Sequence, residues 1–352
     1  MKIVILGSVA LSVPPPMQGG TERIAYWQAV GLSRLGHDIT LIAAKGSKAD
    51  PLYALVEIGG DTIHPALGIV ESSRNMRKEL VYMAEVSQWL IDNKDSYDLI
   101  LNNMRGGEST LLPIVKFLNK KFVTVMHLPI FDELAHLFET YKTPVITISN
   151  AQKEGYPNIN YAGTVYNATD LNELPFVETP QDYLVMMGSV APHKNQKDGI
   201  LAAKALGIKL FIAGKIGNQA YWDKEIAPLV DEISVIHKGE MGIVEKAALL
   251  GGAKALLFPI LWPEPFGLVM IEAMACGTPV VAYKNGAVLE VVEDSKNGFV
   301  IDASAGVNGL VEAVNKIKTI DRAYCRTYVE ENFTIEKMVD SLETALQKIV
   351  DR

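Results

Sequence analysis

Short, almost wholly apolar runs separated by segments of helical period recur along the chain. Residues 2–6, 39–44, 98–101, 122–126 and 144–148 each read as a strand apolar on both faces, the pattern of a parallel sheet covered by helices. Between the first two, residues 23–35 read as an amphipathic helix closed by Gly36, making a βαβ unit. The period fades over 165–180, where Asn167-Ala168-Thr169-Asp170, Pro175 and Pro180 mark an interdomain link. It then restarts, with strands at 183–187, 209–213 and 234–237 and helices at about 196–206, 221–230 and 244–250. This α/β pattern predicts two Rossmann-like domains, 1–170 and 171–334, with a last helix over about 335–352 returning to the first.

The most informative stretch is 255–282. An apolar strand meets a Pro-rich elbow (Pro259, Pro263, Pro265), then Gly267 and the apolar run 268–276, which reads as a buried helix. Gly277-Thr278-Pro279 stops that helix and the next strand begins at Val280. Two carboxylates stand out, Glu264 on the elbow and Glu272 in the helix. Glu272 lies about five residues along it, a rise of roughly 7.5 Å, so both acids can face one cleft. A lone carboxylate on an apolar helix is costly without a partner: either a salt bridge or solvent satisfies it, or the hydroxyl groups of a ligand do.

Glu264 and Glu272 with seven residues between them, set in Glu264-Pro265-Phe266-Gly267-Leu268 and closing on Ala275-Cys276-Gly277-Thr278-Pro279-Val280-Val281, resemble the signature of retaining glycosyltransferases of family 4, also called glycosyl transferases group 1. The resemblance extends over nearly the full chain, through Asn285-Gly286-Ala287, Glu290, Asn297-Gly298-Phe299 and the segment from Asp321-Arg322 to Phe333. It implies the GT-B fold, two Rossmann-like domains facing each other across a deep cleft, with an acceptor domain first and a nucleotide-sugar donor domain second. Glu272 is then expected on the ribose hydroxyls. Glu264 is expected at the sugar hydroxyls and phosphate, with the backbone of Phe266, Gly267 and Leu268 and with Val269 beside them.

Gly19-Gly20-Thr21-Glu22 precedes the first long helix, where backbone N–H groups and the positive end of the helix dipole can hold a phosphate. The motif is not GxGxxG, so no nicotinamide cofactor is indicated, and a glycine pair at a helix start is also ordinary turn chemistry. The resemblance implies that Gly19 and Gly20 let the loop approach the donor diphosphate and the acceptor. His37, in Gly36-His37-Asp38, reads as a turn residue. Polar residues follow several strands of the first half: Asn102 and Asn103, His127, then Ser149 and Asn150. Ligands of open parallel sheets bind outside the carboxyl ends of the strands, so these are expected on a single rim. The resemblance implies that His127 contacts the transferred sugar. Residues 67–90 read less clearly. A helix there would place Arg74, Arg77 and Lys78 on one face and Leu80 and Met83 on another, a solvated face rather than the basic membrane-binding helix of some relatives.

In the second half, the loop Gly188-Ser189-Val190-Ala191-Pro192-His193-Lys194-Asn195 sets Lys194 before a helix start, where its ammonium and the dipole can both meet an anion. The family usually has Gly-Arg, then Pro and Lys-Gly. Ser189 stands at the Arg position and Asn195 at the second Gly position, so His193, Arg105 or backbone N–H groups are candidates for the missing cation.

A net charge of −8 and no dense run of Lys or Arg argue against a nucleic-acid partner. Two cysteines, Cys276 and Cys325, give neither a disulfide framework nor a zinc spacing. The amino terminus lacks a signal-peptide run, and no apolar stretch approaches the roughly 18 to 20 residues that span a bilayer, so a soluble cytoplasmic protein is expected. No Asp-x-Asp motif is present for a divalent ion, so neither metal nor cofactor is expected. The functional expectation is metal-independent, retaining transfer of a hexose from UDP-glucose or a similar nucleotide diphosphate sugar, GDP-mannose included. The acceptor would be a hydroxyl of a small molecule, a glycan or a lipid-linked species, with His127, Lys194 and Glu264 as catalytic residues. The donor would be bound by Gly19, Gly20, Gly188, Ser189, Lys194, Phe266, Gly267, Leu268, Val269 and Glu272. A nucleotide-sugar epimerase of the same plan and a non-catalytic nucleotide-sugar binding protein are the alternatives.

Overall fold

The structure, a computed structural model, describes residues 1–8, 10–17, 19–59 and 69–351, with side chains in the last range from Ser73 onward; the reading of 67–90 thus begins outside the described residues. Thirteen strands are present among them: β1 Lys2–Leu6, β2 Asp38–Ala44, β3 Ala54–Ile58, β4 Leu99–Asn102, β5 Lys121–Met126, β6 Val145–Thr147, β7 Tyr161–Thr164, β8 Tyr183–Met187, β9 Lys209–Ala213, β10 Val235–Gly239, β11 Ala255–Phe258, β12 Val280–Tyr283 and β13 Gly298–Ile301. They form two parallel sheets, ordered β3-β2-β1-β4-β5-β6-β7 and β10-β9-β8-β11-β12-β13. Apolar strands dictate this arrangement. Ile3, Val4, Ile5 and Leu6 are at most 1% exposed, which requires cover on both faces of the sheet.

The chain divides into two compact units. One comprises Met1–Ile148, Lys153–Val165 and Met338–Arg352; the other comprises Ser149–Gln152 and Tyr166–Lys337. Within the first, the final helix Ile335–Val350 lays Val339 against Gly31, where even a Cβ would come within 2.3 Å. His37 ties the same helix down through Nε2 and Glu343, 2.7 Å away, so it is more than a turn residue.

Three strands escape a reading by apolar runs. β3 and β7 are half-exposed edge strands, and β13 follows a turn that the pattern does not separate from it. The single helix expected over 221–230 is instead broken into Gln219–Tyr221, a wide turn Trp222–Ile226 and a tight turn Ala227–Leu229. Pro228 is the reason, since it has no N–H to donate and its ring crowds the preceding turn. The helix Ile69–Asp92 forms with Arg74, Arg77 and Lys78 exposed. Met83 is buried there, whereas Leu80 is half-exposed.

In the second unit, one half-buried cation joins the ends of several elements. The Arg322 guanidinium donates to the carbonyls of Val177 (2.9 Å), Ala253 (3.0 Å) and Gly251 (2.6 Å), and to Thr278 Oγ1 (3.0 Å). Gly251 belongs to the carboxyl-terminal turn of helix Ile243–Gly252 and Ala253 follows it, so a positive charge also meets the negative end of that dipole. Lysine offers a point charge instead of the planar fork and leaves carbonyls unpaired. Arg322→Lys is therefore expected to cost about 2–4 kcal/mol, seen as a lower denaturant midpoint for the second unit with an unchanged slope. A change under about 0.5 kcal/mol would show that water replaces the fork without loss.

Candidate functional site

The second unit places its candidate residues on the loops after β8 and β11, the two strands at which the sheet order reverses. This is the crevice where open α/β sheets bind ligands. Gly188 follows β8 at φ 133, in the region that favours glycine, and its carbonyl lies only 2.1 Å from where a Cβ on Gly214 would stand. The carbonyl of the next residue, Ser189, accepts from Gln196 Nε2 at 3.0 Å. The short turn Pro192–Lys194 ends at Asn195, which takes a left-handed conformation (φ 52) and caps helix Gln196–Leu206. Asparagine tolerates that conformation better than most residues, which explains how it serves where the family has glycine.

Lys194 Nζ lies 2.6 Å from Glu264 Oε2, 5.3 Å from the Trp262 ring centroid and 6.0 Å from that of Phe258. Trp262 Nε1 donates to the same Glu264 oxygen at 2.7 Å. Behind the carboxylate, Ala287 N donates to the Glu264 carbonyl at 2.9 Å, and a Cβ on Gly286 would stand 2.4 Å from the Glu264 nitrogen. The Asn285-Gly286-Ala287 turn thus sets the height of Glu264. His193 packs against Trp262 with ring centroids 4.9 Å apart; burial first, then the Lys194 charge, hold it below the ordinary imidazole range.

Gly267 precedes helix Leu268–Ala275 at φ 81, and a Cβ there would meet Met270 at 2.7 Å. Leu268 and Val269 open that helix, where N–H groups have no intrahelical acceptor. Phe266 is buried against Tyr166 and Phe333, so it offers backbone to a ligand rather than ring. Glu272 does not stand unpaired: Lys246 Nζ on helix Ile243–Gly252 is 2.5 Å from its Oε1, with both side chains less than one-fifth exposed. Of the two partners left open by the sequence, the salt bridge is the one observed. Nearby, burial pushes the Cys276 thiol up to about 12, which leaves it inert.

Glu290, read with the later turns, is fully engaged elsewhere. Its carboxylate accepts from the backbone nitrogens of Asn150 and Ala151, both at 2.7 Å, and from the Tyr166 hydroxyl at 2.8 Å. Ser149 and Asn150 follow β6 at the carboxyl edge of the same sheet from which His127 follows β5, and Glu290 holds the chain just after β6, so that Ser149–Gln152 belong to the second unit.

In the first unit a cavity of about 160 Å³ lies at the corresponding reversal, between the ends of β1 and β4. It is lined by Ser8 and Ala10 after β1, Thr21 and Glu22 at the start of helix Gly20–Arg34, the loop after β4 from Asn103 to Arg105, and His127 after β5, with Glu79 and Glu108. Gly19 and Gly20 carry the chain into that helix, and a Cβ on Gly19 would meet Pro15 at 2.7 Å and Glu22 Oε2 at 3.0 Å. Asn102 faces inward and is fully buried, with Oδ1 accepting from Met104 N at 3.1 Å, so it shapes the loop without reaching the cavity. Asn103 donates from Nδ2 to Gln28 Oε1 at 2.7 Å, which turns its own oxygen towards His127 Nε2 at 2.8 Å. His127 thus carries its proton on Nε2 and keeps the Nδ1 lone pair. Burial pushes its pKa down to about 4, so the imidazole is neutral near pH 7. Arg105 pairs with Glu79 in this unit, so its cation is already engaged.

Sequence reasoning passed over Lys246, Trp262, Gln28, Glu79 and Glu108. Lys246 had a weak signal, in that the charge on Glu272 called for a partner on a neighbouring helix. The others acquire meaning only through tertiary contact.

Residues 171–332 match the sequence model of the family described as glycosyl transferases group 1. Among curated proteins, a glycogen synthase of Mycobacterium tuberculosis is 23% identical over 365 residues, covering 88% of this chain and 84% of the relative. The alpha-maltose-1-phosphate synthase of Mycolicibacterium smegmatis is 39% identical over 154 residues, 40% of each chain. The D-inositol 3-phosphate glycosyltransferase of Segniliparus rotundus is 27% identical over 162 residues, 42% of this chain, and the match spans only about a third (36%) of that relative. Among solved structures, AviGT4, a glycosyltransferase involved in avilamycin A biosynthesis, superposes with a TM-score of 0.70 at 19% identity, covering 100% of this chain and 99% of the other. Anabaena Alr3699/HepE in complex with UDP-glucose superposes at 0.71 and 20% identity, covering 99% and 100%. Two doubly wound parallel sheets and these superpositions give the chain the GT-B fold, and residues 171–332 of its second unit, a little under half of the chain, match the family of glycosyl transferases group 1.

Proposed function

We propose that the chain transfers a hexose from a nucleotide diphosphate sugar to an acceptor hydroxyl, with retention at the anomeric carbon and without a metal ion. UDP-glucose or a near relative is the donor of choice, supported by the fold shared with a protein bound to UDP-glucose; GDP-mannose is the second candidate. The observation that carries the reading is the pair of carboxylates Glu264 and Glu272, each held by its own lysine. Lysines so placed can turn from a carboxylate to a diphosphate without new charge being brought in.

In the reaction the acceptor oxygen bonds to the anomeric carbon, the bond from that carbon to the donor phosphate oxygen breaks, and the nucleotide diphosphate leaves. For retention, attack comes on the leaving-group face, with a phosphate oxygen of the donor taking the acceptor's proton. The negative charge that grows on the diphosphate is met by Lys194 and by the N–H groups of Leu268 and Val269, fixed dipoles aimed at the transition state. Glu272 holds ribose hydroxyls, Glu264 sugar hydroxyls, and neutral His127 offers Nδ1 as acceptor to a hydroxyl of the transferred sugar. The two glutamates are not a glycosidase pair, whose carboxyls flank the anomeric carbon as acid and nucleophile about 5–5.5 Å apart. Ser189, at the usual Arg position, favours one other reading, a protein that binds the donor without turning it over; slow donor hydrolysis excludes it.

Replacing Lys194 by Ala is expected to lower kcat by roughly 10²–10³-fold in a nucleotide-release assay, the loss typical of one transition-state donor. Near-normal turnover would mean that another group carries the diphosphate. Glu272→Gln is expected to raise the donor Kd about tenfold by calorimetry, with a smaller effect on kcat. Because that change also leaves Lys246 unmatched, the Lys246→Gln single and double variants complete the cycle that isolates the donor contact. Transfer in the presence of excess EDTA should match the untreated rate; a loss restored by added divalent ion sinks metal independence.

His127 sets a pH signature. Its folded pKa, about 4, lies below the ordinary imidazole value of about 6.5, so folded and unfolded forms bind protons alike at neutral pH. Below about 6.5 the unfolded chain takes up a proton that the folded chain resists, and stability falls until about pH 4. Melting curves across that window should therefore be less steep in pH for His127→Gln than for the native chain; parallel curves would place the imidazole in water.

A further inference from the structure

Glu22 is the odd charge in the first unit. Its residue is 6% exposed, and among the described residues its carboxylate makes no hydrogen bond and no ion pair, yet it lines the cavity beside His127. The carboxylate therefore faces the cavity and leaves its charge to be met from there, with only the amino-terminal dipole of helix Gly20–Arg34 to help it.

The rest of the lining does not supply the missing cation. Arg105 is the cavity's guanidinium and it pairs with Glu79. Glu108 adds a third carboxylate, which burial pushes above the ordinary range against the smaller effects of backbone N–H groups and Arg105. His127 is neutral near pH 7. Three carboxyl groups thus face the cavity against one guanidinium, a wall that repels an anion and attracts a cation.

We propose that this cavity takes an acceptor carrying a protonated amine beside the hydroxyl to be glycosylated, an amino sugar or an aminocyclitol in chemical class, and that it rejects acceptors carrying phosphate or carboxylate. The ammonium sits between Glu22 and Glu108, and the hydroxyls of Ser8 and Thr21 meet the polyol. Charge separates this chain from the D-inositol 3-phosphate glycosyltransferase among its relatives, whose named acceptor bears a phosphate. The inference rests on the transferase reading above for the word acceptor, but the binding preference stands on the cavity alone.

The test is direct binding to the full chain without any donor, by calorimetry or saturation-transfer NMR, with glucosamine, glucose and glucose 6-phosphate as probes at about pH 6.5, below the pKa of the amine. Glucosamine should bind at least about tenfold tighter than glucose, the effect of one favourable buried pair, with glucose 6-phosphate weakest. Glu22→Gln and Glu108→Gln, confirmed as folded by their melting curves, should each shrink that preference, and the double variant should abolish it. Equal binding of the three sugars, no binding of any, tighter binding of the phosphate, or a preference that survives the double variant overturns the proposal. Hydrolysis of UDP-glucose with no acceptor present reads the transferase proposal separately. A chain that selects glucosamine through Glu22 and Glu108 but cleaves no nucleotide sugar overturns that reading and leaves this one standing.

Discussion

A charge that leaves water must find a partner, and in the second unit this constraint settles where each element of the site stands. Glu264 and Glu272 are both largely buried, and each is matched by a lysine from another element: Lys194 from the loop after β8, Lys246 from helix Ile243–Gly252. Breaking either pair by removing one partner strands the other charge, at a cost of about 3–5 kcal/mol. The pairs therefore fix the loops against each other before any ligand arrives. Arg322 applies the same rule, joining the segments that end at Val177, Gly251, Ala253 and Thr278 through a single guanidinium.

Close approach of backbone to backbone does the remaining positioning. Gly286 lets its turn lie on the Glu264 peptide, and Gly214 lets the loop after β9 touch the Gly188 carbonyl. Neither glycine needs to meet a ligand to be required. The Gly19 position is similar, crowded by Pro15 and Glu22 of its own chain. Glycines in such a site hold the scaffold first, and whatever room they leave for phosphate follows from that.

The alternation of strand and helix, and with it the doubly wound plan, was legible because core strands are apolar on both faces and say so in any window of five residues. β3 and β7 were not, because edge strands keep one side in water and lose the apolar run. Gly267 and the acidic pair were legible as a motif, and Asn195 as a substitute for glycine. Partnership was not. Nothing in the order of residues tells Glu272 that Lys246 lies 2.5 Å away, or tells Glu290 that it will hold Asn150, Ala151 and Tyr166. Such contacts depend on the packing angle of helices and on loop ends, which carry no periodic signal. Ser149 and Asn150 illustrate the consequence: the rule that places His127 at a strand end places them at the neighbouring one, but it says nothing of the Glu290 carboxylate that holds Asn150 and Ala151 there.

The two units handle charge in opposite ways, and the difference bears on how each would select a ligand. In the second, Glu264 and Glu272 each already have a lysine, so an anionic ligand there would have to displace an internal partner. Its affinity is then the difference between two similar interactions, which favours turnover over retention of product. In the first, the Glu22 carboxylate has no internal partner among the described residues, and a cationic group there displaces only water. Binding at such a position draws on the full Coulombic attraction less desolvation, so selectivity by charge is expected to be sharper in the first unit than in the second.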